Sequence, residues 1–81
     1  MNEVFILVKI IEIKYNLIPK SKKNAICNIK GILVNKSVIN LIAYNNIADK
    51  CYRKLKKDTV FLVEGRINQK MAIEIMNFSK I

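Results

Sequence analysis

Apolar residues recur at every second position along most of this chain, and at helical spacing in one short stretch. Between residues 4 and 13, Val4, Ile6, Val8 and Ile10 share one face, while Phe5, Leu7, Lys9 and Ile11 share the other. A strand alternates its side chains in this way, and the β-branched content favours strand over helix. Residues 24–34 form a second strand, with Ala25, Cys27, Ile29, Gly31 and Leu33 facing one way and Asn28 and Lys30 the other. Residues 38–44 make a third. Asn45-Asn46 then caps a helix in which Ile47, Ala48, Cys51 and Leu55 draw an apolar stripe. Residues 59–68 alternate Phe61, Val63, Gly65 and Ile67 with Leu62, Glu64 and Arg66, and residues 71–79 supply a fifth strand. The connections are a loop at 16–24, which holds the only Pro and the cluster Lys20-Ser21-Lys22-Lys23, and short turns at 35–37 and 68–70.

The order is three strands, one helix, two strands. That predicts an all-β fold, a five-stranded Greek-key OB-fold barrel with one α-helix between strands 3 and 4. A split αβ sandwich is the rival, and the single helix argues against it. Closing the barrel also removes exposed strand edges, which a chain this apolar needs. Residues 1–81 read as a single domain.

The formal net charge is +9 and the chain is 52% apolar, too apolar for disorder. Such a charge favours an anionic partner. Lys outnumbers Arg thirteen to two, and Ile and Asn are abundant. This is the drift of an AT-rich genome, which by itself coats a surface with Lys. It points to an organelle, an endosymbiont or an AT-rich virus as the source, or to the cytoplasm of an AT-rich organism. The apolar opening segment is too short to span a membrane and lacks the basic start of a secretory signal, so the protein is expected to be neither membrane-embedded nor secreted. Catalysis has little to stand on: there is no His, no Gly-rich phosphate loop and no obvious carboxylate pair. Cys27 and Cys51 belong to no metal-binding spacing and read as small core residues, with a disulfide left open. No enzyme activity, cofactor or metal is expected.

The stretch Ile42-Ala43-Tyr44-Asn45-Asn46-Ile47-Ala48-Asp49, then Leu55-Lys56-Lys57-Asp58, then Phe61-Leu62-Val63-Glu64-Gly65-Arg66-Ile67, resembles the single-stranded-DNA-binding protein (SSB) family. The opening Asn2-Glu3-Val4-Phe5-Ile6-Leu7-Val8 and the pair Asn28-Ile29 resemble it too. Small plastid-encoded members are the most similar in size and composition. The resemblance implies that Ile47, Cys51 and Leu55 plug the barrel end. It also implies that Gly65 marks a close approach or kink, and that Tyr44 is a stacking aromatic at the end of strand 3. The chain departs from the family in having no Trp, in placing Val38 and Asn40 where an aromatic and a basic residue stand, in shortening the last hairpin to Asn68-Gln69-Lys70, and in carrying Asp58 where the helix ends on Gly.

These residues lead to a non-catalytic protein that binds single-stranded DNA without sequence preference, in replication, recombination or repair. Tyr44 is the expected platform; the alternative is a tyrosine packed at the barrel rim. Asn28, Lys30 and Arg66 share outward parity and are expected to line a basic groove beside it, with Asn40, Lys57, Lys9, Lys36 and Lys70 as further contacts. Tyr52 is expected to pack beside the helix stripe, and Lys50, Arg53 and Lys54 to face away from the groove, for solubility or a partner. RNA stays open as a ligand, because stacking and charge do not read the sugar. The apolar first strand and outward Leu62 and Ile32 predict a homo-oligomer. The rival function is a protein-interaction subunit of a larger assembly, an OB barrel without a nucleic-acid face.

Overall fold

The computed structural model describes residues 3–18, 24–69 and 71–81. Its elements are β1 (Glu3–Leu17), β2 (Ala25–Ile32), β3 (Val38–Tyr44), α1 (Asn45–Lys54), β4 (Val60–Ile67) and β5 (Ile73–Lys80). The strands close into a barrel in the order β1-β2-β3-β5-β4. All neighbours are antiparallel except β3 and β5, which meet in parallel at Leu41 and Ile42. This is the OB arrangement that the strand order predicts.

Closure depends on β1, which serves two neighbours. Its first half pairs with β4, from Glu3 opposite Arg66 to Lys9 opposite Val60. Its second half pairs with β2, from Lys9 opposite Ile32 to Leu17 opposite Ala25. Between Ile10 and Glu12 the register slips by one residue, so Ile11 is a bulge. A bulge bends the strand and inverts its face parity. Val8 and Ile10 therefore point into the core ahead of it, while Ile13 and Tyr15 pack against the core after it. This corrects the sequence expectation that β1 ends at Ile13 and that a loop begins at Asn16: period-2 alternation breaks at Ile10-Ile11, yet the strand continues. Residues 19–23 of the expected loop lie outside the described residues. A second bulge lies on β5, where Glu64 and Gly65 face Asn77 and Ile75, leaving Met76 extra.

The barrel is filled by Val8, Ile10, Ala25, Cys27, Ile29, Leu41, Ala43, Phe61, Val63, Ile75 and Phe78, all buried. Phe61 and Phe78 meet edge to face at 5.8 Å. Ala48, Cys51 and Leu55 of the helix side bury against this core and Ile47 packs at its margin, so the helical stripe plugs the barrel end as the resemblance implies. Both cysteines are free thiols. Burial pushes Cys27 up to about 11 and Cys51 up to about 12. Gly65 sits at the second register shift, where a Cβ would press on the Glu74 carbonyl oxygen and lie 2.7 Å from Ile73 Cγ2. Only Gly admits β5 so close.

α1 follows β3 with no linker. Tyr44, still extended, occupies the N-cap, and Asn45 takes a left-handed φ of 54°. Asn tolerates that conformation better than other side chains. The N-cap position falls on Tyr44 rather than on Asn45-Asn46 as the sequence suggests, and the Tyr44 side chain makes no cap hydrogen bond. Instead Asn45 Oδ1 accepts from the Ala25 N–H at 3.4 Å, tying the helix start to β2. After the helix, Asp58 is left-handed at φ 68°, in the place where the family carries Gly. Its N–H donates to the Ile10 carbonyl at 2.7 Å, so the turn is anchored beside the β1 bulge.

Candidate nucleic-acid interface

Strand pairing lays three rows of outward side chains across one face of the barrel. Glu12, Lys30 and Asn40 form the first row; Lys14, Asn28, Ile42 and Glu74 form the second; Asn16, Ile26 and Tyr44 form the third. The alternate positions of β2 and β3, Cys27, Ile29, Leu41 and Ala43, are in the core. The rows are therefore exposed by the same period that fills the barrel.

Two depressions join across this face. One, of about 290 Å³, is lined by Glu12, Lys14, Asn28, Lys30 and Asn40 over Ile29 and Leu41. The other, of about 450 Å³, shares Asn28, Asn40 and Leu41 and extends past Ile42 and Tyr44 to Asn68, Gln69, Ala72 and Glu74. Its far wall is the β4–β5 hairpin. Asn68 shapes that turn: its N–H donates to the Ala72 carbonyl at 2.8 Å, and its Oδ1 accepts from the Ala72 N–H at 3.0 Å. Met71 is left-handed at φ 61°. The groove therefore runs from the β1 bulge, across β2 and β3, to the last hairpin, with Tyr44 half-buried in its wall.

Among the described residues the charges lining the groove cancel. Lys14 and Lys30 are opposed by Glu12 and Glu74. Glu12 stands between the two lysines, 3.9 Å from Lys14 Nζ and 3.8 Å from Lys30 Nζ. Exposed pairs of this kind contribute only about 0–1 kcal/mol to stability, but they reduce what the lysines can offer an anion. The described lining is thus balanced in charge and amide-rich, where the sequence predicts a basic groove.

Four of the sequence-predicted residues come together here: Asn28, Lys30, Asn40 and Tyr44. Arg66 is exposed on β4, one strand beyond Glu74, with Nη2 3.6 Å from Met76 Sδ. Lys9 and Lys36 meet on a separate depression of about 230 Å³, among Leu7, Ile32, Leu33, Val34 and Val60. Lys57 is exposed in the turn after α1. Lys70 lies outside the described residues. Sequence reasoning missed Lys14, Glu12 and Glu74. For Lys14 and Glu12 the available signal was the doublet Ile10-Ile11, two adjacent apolar residues that mark the bulge and turn both side chains onto the groove.

Of the two remaining tyrosines, Tyr15 donates its hydroxyl to Asp49 Oδ1 of α1. That hydrogen bond, reinforced by desolvation and the carboxylate charge, raises the phenol above its ordinary pKa. The Tyr15 ring stacks on Tyr52 with centroids 4.6 Å apart and planes 22° off parallel. Tyr52 does pack beside the stripe, as expected, yet it is 61% exposed.

No family model matches this chain, and no curated protein sequence matches it. Solved structures do. The SSB domain of a protein from Synechococcus sp. superposes with a TM-score of 0.76 at 13% identity, covering 96% of this chain and 93% of that one. The protein priB from Ralstonia solanacearum superposes with a TM-score of 0.72 at 13% identity, covering 100% of this chain and 99% of that one. At this identity the likeness establishes a shared fold across essentially the whole chain.

Proposed function

We propose that this chain is an SSB-like, non-catalytic protein that binds single-stranded DNA without sequence preference, serving replication, recombination or repair. The observation that carries the reading is the continuous groove over β2 and β3, closed by the β4–β5 hairpin, on the face that OB-folds use for oligonucleotides. Tyr44 offers a ring against which a base stacks. Asn28 and Asn40 offer amides that donate and accept at base edges or sugars, and Lys14 and Lys30 hold phosphates. The whole-chain likeness in fold to an SSB domain supports this reading, as does the net charge of +9. Binding rather than chemistry fits a chain without His whose two thiols are buried and held protonated. RNA fits the same groove. The AT-biased composition favours a plastid or an AT-rich cytoplasm as its setting.

Self-association belongs to the same proposal. Phe5, Leu7 and Val34 are exposed at 64%, 45% and 86%, and with Leu62 they form an apolar face on the opposite side of β1 from the groove. Patches of this kind mark interaction surfaces. The balanced groove charge favours a second reading, a protein-interaction subunit. Titrating labelled oligo-dT, oligo-rU and duplex DNA at two salt concentrations separates the readings. The leading one predicts preference for single strands over duplex, weakened by salt. Tyr44→Ala should lose about 1–3 kcal/mol, a factor of roughly 5 to 150, with Tyr44→Phe close to wild type. Absence of single-strand binding at low salt would leave the interaction subunit.

A further inference from the structure

Among the described residues, the net positive charge that the groove lining lacks is found on the helical pole. Lys50, Arg53, Lys54, Lys56 and Lys57 fall within eight residues, and all but Lys50 are exposed. Of the two acids beside them, Asp49 is engaged by the Tyr15 hydroxyl. Amid these cations stands Tyr52, the most exposed aromatic ring after Phe5 among the described residues. Its inner face rests on Tyr15, and Asp49 holds Tyr15 in turn, so the outer ring is fixed in place before any ligand arrives.

A pre-ordered ring within a field of flexible cations has what single-stranded nucleic acid requires: a π-face for a base and ammonium or guanidinium groups for flanking phosphates. The same surface suits an apolar protein partner poorly, because between residues 50 and 57 every exposed side chain other than this ring is a cation. It is joined to the groove by α1: Tyr44 stands at the start of the helix and Arg53 and Lys54 in its last turn, with Tyr52 about 12 Å along the axis from Tyr44 at 1.5 Å per residue.

We propose that the pole formed by Tyr52, Arg53, Lys54, Lys56 and Lys57 is a second binding site for single-stranded nucleic acid. It takes the strand where it leaves the groove past Tyr44. The groove then supplies stacking and hydrogen bonding, and the pole supplies most of the salt-dependent affinity. This rests on the binding function proposed above, but not on the groove being the main site.

The test compares the intact chain with three variants, using labelled oligo-dT long enough to cover both surfaces, about 16 nucleotides. In the first, Arg53, Lys54, Lys56 and Lys57 are all changed to Gln. The slope of log affinity against log salt should become shallower by about 2 to 3 units, at roughly 0.7 for each phosphate that is no longer neutralised. In the second, Tyr52→Leu keeps an apolar side chain on Tyr15 but removes the platform, and affinity should fall about 5- to 150-fold. In the third, Tyr52→Phe should bind as the intact chain does. Thermal melts of each variant confirm folding. Wild-type slope and affinity in the first two variants, alongside weakened binding by Tyr44→Ala, would overturn the second site and leave the groove standing. The reverse pattern would support the pole and overturn the groove. No oligo-dT binding by the intact chain would overturn both.

Discussion

Gly31 makes the barrel closable, and its replacement can be worked through from the geometry. It sits on β2 opposite Ile10, immediately before the β1 bulge. A Cβ added there would collide with Val8 Cγ2 and stand 3.3 Å from the Lys9 carbonyl oxygen. Val8 is 1% exposed, so its side chain has no free space to move into. Overpacking of this kind costs about 1–3 kcal/mol, against a gain of about 0.4–1 kcal/mol from the stiffer unfolded chain. Gly31→Ala should therefore destabilise by about 1–2 kcal/mol and lower Tm by roughly 4–16 °C for a domain of this size. Val8→Ala alone removes two buried methyl-sized groups and leaves a cavity, a loss of about 2–3 kcal/mol. In the double variant the new methyl enters the space that Val8 vacates. The double should then be no worse than Val8→Ala alone, giving a coupling of about 1–2 kcal/mol between the two sites. Urea unfolding followed by circular dichroism measures all four corners of the cycle. Additive losses, within about 0.5 kcal/mol, would refute the claim that Gly31 is required by Val8.

Glu12→Gln removes the carboxylate shared by Lys14 and Lys30 and should tighten single-strand binding with a slope steeper by about 1, while stability changes by less than about 1 kcal/mol; weaker binding in a salt titration would contradict this. The thiols of Cys27 and Cys51 are raised from 9.0 to about 11 and about 12 by burial, so their contribution to stability is full below pH 9 and is lost as pH rises toward those values. Melting temperature should fall across that window, Cys51→Ala should lessen the fall, and a thiol reagent at pH 8 should modify neither residue until urea unfolds the chain. Phe5→Glu with Leu62→Glu should convert a self-associated species to a monomer of 9.4 kDa in sedimentation without loss of fold; a monomeric wild type at micromolar concentration would refute self-association.

The sequence made the barrel legible wherever period-2 alternation ran unbroken. On β2 and β4 the alternation picked out Cys27, Ile29, Phe61 and Val63, all buried, although Ile67 at the end of β4 is 40% exposed. The helical stripe was equally plain, because Ala48, Cys51 and Leu55 have no strand-period reading. The bulges were not. Ile11 and Met76 each add one residue whose presence depends on how far a neighbouring strand must bend, a property of closure rather than of local pattern. Lys14 reached the groove unannounced for that reason. The candidate site divided along the same line. Asn28 and Lys30 were found because strand parity places them, and Asn40 and Tyr44 through the resemblance in strand 3; all four line the groove. Arg66, Lys9 and Lys36 have outward parity too, but parity does not say which side of a closed barrel faces the groove. Net charge carried no address either: a total of +9 is compatible with a groove whose described charges cancel.

The central claim is that a single strand lies along the β2–β3 face, and the backbone amide spectrum of a 9.4 kDa chain reads this residue by residue. Titrating oligo-dT into isotopically labelled protein should shift amides of Lys14, Asn28, Lys30, Asn40, Ile42, Tyr44 and Asn68, while Phe5, Leu7 and Leu62 on the opposite face stay fixed. A spectrum in which the groove amides stay still while others move, or in which nothing moves at saturating oligonucleotide, would contradict the account.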